Sequence, residues 1–73
     1  MTYGKAFKRA GINIEYMDEY ETYDFRGTTP KGKWFNISKA AGAYGDKFTV
    51  VIDGKMMATA CIYRTAVRLI KSN

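Results

Sequence analysis

Seventy-three residues carry a formal charge of +5, one cysteine and no histidine, which allows one small domain with a thin stability margin and leaves no room for a second core. A lone thiol excludes an internal disulfide, and without imidazole neither a Cys/His zinc site nor a cysteine–histidine pair can be built. Five of the seven acids crowd between Glu15 and Asp24, so the convergent groups of an active-site cleft are missing, and a non-enzymatic protein without metal or cofactor is expected.

In chain order, residues 1 to 11 are basic. Ala6, Phe7 and Ala10 fall at helical spacing, with Thr2 as a candidate N-cap and Gly11 as a stop, which predicts one or two turns of helix. Residues 12 to 25 are acidic and aromatic. Ile12, Ile14 and Tyr16 alternate as in a half-buried strand, and the alternation resumes in a new phase at Tyr23 and Phe25. A hairpin turn near Asp18 to Tyr20 would produce that slip. Tyr16, Met17, Tyr20 and Tyr23 also fit a helical stripe, but the β-branched and aromatic content favours strands.

Residues 26 to 32 read as a loop, because Pro30 lacks a ladder donor and two glycines permit turns closed to other residues. Lys33 to Lys39 reads as a strand, with one of Trp34 and Phe35 facing inward and the other outward. A glycine-bearing connection, Ala40 to Asp46, leads to a strand at Lys47 to Ile52, where Phe48, Val50 and Ile52 share a face. Asp53-Gly54 then marks a two-residue hairpin, since a type I′ turn needs positive φ at both central positions. That turn places Ile52 opposite Lys55 and Val50 opposite Met57.

The second arm should end near Cys61 or Ile62. Beyond it Ile62, Ala66, Leu69 and Ile70 line one side of a helix, with Arg64, Arg68 and Lys71 on the other. Cys61 reads as a small buried hydrophobe, and Met56 and Met57 as core filler and exposed hairpin edge. The expected fold is α+β: an antiparallel sheet of three to five strands, with the C-terminal amphipathic helix packed on one face.

Charge is distributed unevenly. Residues 12 to 25 hold five acids and no base, while the other 59 residues hold twelve bases and two acids. The basic part predicts a polyanion-binding surface, because lysine and arginine displace counterions from phosphates. Candidate residues are Lys31, Lys33, Lys39, Lys47, Arg64, Arg68 and Lys71, with Trp34 and Tyr44 as aromatic platforms for unpaired bases. The acidic part supports a rival, a regulator or inhibitor that docks on a larger protein. Tyr16, Glu19, Tyr20, Glu21, Tyr23 and Asp24 would suit a basic partner patch. The same segment could instead meet the basic surface of a second copy in a homodimer.

Nothing approaches the roughly 20 apolar residues of a membrane span. No apolar stretch follows Lys5, Lys8 and Arg9 as a signal peptide would require, so the cytoplasm is the expected location.

Lys33-Trp34-Phe35-Asn36, followed by Lys39 and Gly42, resembles the opening of the first RNA-binding strand in cold-shock domains. The resemblance ends there. Ala40, Ala41, Ala43 and Tyr44 stand where that family continues with lysine, glycine and alternating phenylalanines. The motif also lies mid-chain, leaving too few strands after it for that barrel, and no family is assigned from it.

Overall fold

A computed structural model of the chain describes residues 3–18, 24–40 and 45–73. The elements run α1 (Tyr3–Arg9), β1 (Asn13–Met17), β2 (Asp24–Thr28), β3 (Trp34–Lys39), β4 (Phe48–Ile52), β5 (Lys55–Cys61) and α2 (Tyr63–Lys71). All five strands form one sheet in sequence order, each antiparallel to the next. The fold is therefore α+β with a C-terminal helix, as patterning predicts. Thr2, residues 19–23 and Tyr44 lie outside the described residues.

Two turn signals act as their chemistry requires. Gly11 stops α1 at φ 90°. Its N–H donates to the Lys8 carbonyl at 3.0 Å, and that of Ile12 donates to Phe7 at 3.1 Å. This is the paired bonding of a Schellman cap, including the apolar contact it favours, since Ile12 and Phe7 are both buried. Asp53 and Gly54 have φ of 52° and 77°, the left-handed pair of a type I′ turn.

The core lies on one side of the sheet. Phe25, Phe35, Ile37, Phe48, Val50 and Ile52 project from the strands onto Phe7 and Ile12 from the first helical segment and Ala66 and Ile70 from α2. Phe7 is the centre of an aromatic cluster, with ring centroids 5.3 Å from Phe25, 5.6 Å from Phe48 and 4.9 Å from Tyr63. The Tyr63 hydroxyl donates to the Ala6 carbonyl at 2.8 Å, which ties the two helices together on this face.

Several expectations need correction. Val50 stands opposite Ala58, not Met57, because β5 takes one extra residue between the pairs Val51–Met56 and Val50–Ala58. Met56 is consequently no core filler. It faces out and is 60% exposed. β5 shifts register again between the pairs Val50–Ala58 and Phe48–Cys61, and a bulge between Ile14 and Tyr16 shifts β1, so Tyr16 does not continue the Ile12–Ile14 face but turns to the opposite side. The phase slip thus begins inside β1, before Asp18. Both bulged strands are sheet edges, where bulges discourage pairing with other chains.

Arg26, Gly27 and Thr28 belong to β2 and not to the loop. Gly27 is there because the Asn13 carbonyl of β1 approaches so closely that any Cβ would collide with it. Ile62 sits at the N-cap of α2 with extended backbone (φ −74°, ψ 161°), so its side chain leaves the helical wheel and lies about half exposed. Tyr63 and Val67 pack against the core alongside Leu69.

Candidate functional site

Both helices cover the same side, so among the described residues the other side of the sheet is open. Its side chains follow from strand register. Tyr16, Arg26, Asn36, Val51 and Met56 are successive cross-strand partners and form one row across all five strands. Beside that row, Trp34 stands opposite Thr28 at the first position of β3. Trp34 is 61% and Tyr16 52% exposed. Single exposed apolar residues are ordinary on a protein surface, whereas a contiguous group on an uncovered face marks a contact site.

A polar network orders the middle of the row. Arg26 Nη2 donates to Asp24 Oδ2 at 3.1 Å, and Asn36 Nδ2 donates to Asp24 Oδ1 at 2.7 Å. The Arg26 guanidinium lies 5.3 Å from the centroid of the Tyr16 ring, within cation–π range. One carboxylate therefore positions two neighbours, and Tyr16 supports the arginine from its far side. Glu15, Tyr16, Arg26, Trp34, Phe35, Asn36, Val51 and Gly54 line a concavity of about 500 Å³, a size typical of ligand sites.

The predicted cations divide among three places. Lys31 and Lys33 are exposed on the loop between β2 and β3, next to Trp34. Lys55, not anticipated from sequence, opens β5 beside the lining residue Gly54, and the hairpin is tied to this end by the Asp53 N–H donating to the Trp34 carbonyl at 2.8 Å. Lys39 and Lys47 lie at the opposite end of the sheet, joined through the Ala40 N–H to the Lys47 carbonyl at 3.0 Å. Arg64, Arg68 and Lys71 are exposed on α2, behind the sheet. The structure thus gathers Lys31, Lys33, Trp34 and Lys55 at one end of the sheet, with Arg26 on the open face and Lys71 at the end of α2 beside Pro30, and separates Lys39, Lys47, Arg64 and Arg68 from them.

Lys39 is partly neutralised where it stands, 3.4 Å from Asp46. The Tyr3 hydroxyl donates to the same carboxylate at 2.6 Å. That bond, more than Lys39, holds Asp46 below the usual carboxylate range and raises the Tyr3 hydroxyl above its own. Of the residues read as a protein-contact segment, Tyr16 and Asp24 lie on the open face, while Glu19, Tyr20, Glu21 and Tyr23 are outside the described residues.

A second concavity, about 280 Å³ between Gly11, Pro30, Ile70 and Lys71, is a poor anion site. Both helices end there, and helix C-termini carry partial negative charge that Lys71 already offsets. Among the described residues, no three acidic or thiol side chains come together to hold a metal. No described helix is long and apolar enough to cross a membrane.

Arg26, Asn36, Val51 and Met56 were not foreseeable as a group. The only sequence signal for any of them is the Asp-Gly turn, which pairs Ile52 with Lys55 and therefore Val51 with Met56. No family model, curated protein or solved structure matches this chain, so the reading of the open face rests on its own geometry.

Proposed function

We propose that this protein is a non-enzymatic binding module that takes single-stranded nucleic acid on its uncovered sheet face. One observation carries the reading: Trp34 stands exposed on that face, between the aromatic–arginine row and a lysine-bearing edge. Base stacking on an aromatic platform contributes about 1–3 kcal/mol per base, and lysines supply the salt-dependent remainder. Duplex would not fit this use, since paired bases offer no free ring face. Glu15 and Asp24 on the same face keep phosphates away from its middle, so the backbone is directed toward Lys31, Lys33 and Lys55.

Trp34 is the only tryptophan, so intrinsic fluorescence reports directly on the platform. Titration with oligodeoxythymidylate should quench it. Three phosphate contacts, at Lys31, Lys33 and Lys55, imply a loss of roughly twenty-fold in affinity for a fourfold rise in salt. Absence of both quenching and binding at low salt would exclude nucleic acid. If a pull-down then recovered a protein after nuclease treatment, the face that carries Tyr16 and Asp24 would belong to a protein partner.

A further inference from the structure

The helical side of the sheet carries a charge pattern that the open face does not use. Every exposed residue within the two helices is a cation: Lys5, Lys8 and Arg9 on α1, and Arg64, Arg68 and Lys71 on α2. Neither helix contains an acid. A surface that serves solubility alone mixes both signs, whereas a single sign builds a field that draws in the opposite charge.

The two helices hold these cations in one layer. The Tyr63 ring packs on Phe7 with centroids 4.9 Å apart, and its hydroxyl donates to the Ala6 carbonyl, so the start of α2 lies against α1. At the other end, Lys71 Nζ lies 3.6 Å from where a Cβ on Gly11 would stand. α2 therefore runs alongside α1, and Lys71 is drawn to the end of α1, whose last carbonyls favour a cation. Ala66 and Ile70 are buried, which leaves Arg64 and Arg68, one helical turn apart, on the outer side of α2. The two ion pairs among the described residues, Arg26–Asp24 and Lys39–Asp46, lie elsewhere. No described carboxylate pairs with Lys8, Arg9, Arg64 or Arg68.

We infer that this helical layer is a second polyanion surface, which takes the phosphate backbone of duplex nucleic acid through Lys8, Arg9, Arg64 and Arg68. It goes beyond the single-strand reading of the open face and does not depend on it. Tyr3 and Tyr63 are half-buried against Phe48 and Phe7, so this side offers unpaired bases no stacking platform. What remains is attraction to phosphates, and duplex presents the denser line of them, one charge per about 1.7 Å of axis. An anionic membrane is a poorer match. Helices that lie on lipid sink an apolar side into it, and here Phe7, Ala66 and Ile70 face the protein's own core. Ile62, at the N-cap of α2, adds one exposed apolar side chain. Backbone contacts position a duplex without reading its sequence.

A labelled DNA hairpin duplex followed by anisotropy tests the layer, while Trp34 fluorescence with oligodeoxythymidylate follows the open face. Four phosphate contacts imply a loss of roughly 150-fold in duplex affinity for a fourfold rise in salt. Arg64→Gln combined with Arg68→Gln removes two of them, so roughly twelve-fold should remain over the same range. That variant should also bind duplex at least about tenfold more weakly near 0.1 M salt and leave Trp34 quenching unchanged. Lys33→Gln combined with Lys55→Gln should do the converse. Glutamine suits an exposed helix position, and unchanged thermal midpoints verify that both variants fold. No duplex binding at low salt, or equal loss of it in both variants, would overturn the second surface. Binding to phosphatidylserine vesicles but not to duplex would overturn the duplex as its occupant. Duplex binding that persists where oligodeoxythymidylate fails to quench Trp34 would remove the open-face reading and leave this surface standing.

Discussion

Replacing Thr29 by valine keeps the shape of a buried side chain and deletes one hydroxyl. Thr29 is the only buried polar residue among those described, at 5% exposure. Its Oγ1 accepts from the Lys33 N–H at 3.1 Å and donates to the Asn73 carbonyl at 3.0 Å. Its backbone meanwhile closes the loop, with the Thr29 N–H donating to Lys33 at 2.8 Å and the Gly32 N–H to Thr29 at 2.9 Å. The hydroxyl therefore joins the lysine-bearing loop to the end of α2.

Without it the partly buried Lys33 N–H is left without an acceptor, which costs about 1–3 kcal/mol, whereas the carbonyl of the partly exposed Asn73 recovers water. A net loss of about 2 kcal/mol follows, and with an m-value near 1 kcal/mol/M for a protein this small the urea midpoint should fall by about 2 M. Thr29→Ser, which retains the hydroxyl and loses a methyl, should cost about 1 kcal/mol or less. Equilibrium urea unfolding followed by circular dichroism measures both. A valine variant within about 0.5 kcal/mol of the parent, or a serine variant as damaged as the valine one, would show that the hydroxyl does not hold this loop.

Gly27→Ala forces a Cβ against the Asn13 carbonyl and to 3.0 Å from the Phe35 ring. Displacing β1 in this way should cost about 2 kcal/mol or more, visible as a lowered thermal midpoint. The Tyr3–Asp46 bond predicts a stability plateau with two shoulders. Asp46 titrates below its unfolded value, so its contribution is present above pH ~4 and lost as pH falls; Tyr3 titrates above its unfolded value, so its contribution is present below pH ~10 and lost as pH rises. In Tyr3→Phe the alkaline shoulder should vanish and the acid one shrink, and thermal midpoints unchanged from the parent across pH would refute this. Burial pushes the Cys61 thiol up, so iodoacetamide should modify it more slowly at pH 8 in the folded protein than in urea. Equal rates would contradict that burial.

Local chemistry accounts for much of the architecture. Asp53-Gly54 dictates its own turn because few residue pairs tolerate positive φ twice, and the alternation of Phe35 with Ile37 and of Phe48, Val50 and Ile52 is a period that only a half-covered strand requires. Ala66 and Ile70 against Arg64, Arg68 and Lys71 declare a one-sided helix in the same way. All of these are short-range regularities, legible in one dimension because backbone geometry imposes them. The candidate site is different. A bulge beside Glu15 reverses the side on which Tyr16 emerges, and Gly27 belongs to a strand only because a carbonyl from β1 approaches it. The predicted lysines and arginines divide among two ends and a back face that no linear pattern distinguishes.

Side-chain periodicity determines which residues alternate, but an inserted residue changes parity, and the packing of a partner strand decides where that insertion falls. The open-face row of Tyr16, Arg26, Asn36, Val51 and Met56 therefore exists only once the strands are in register and both helices have taken the opposite side of the sheet.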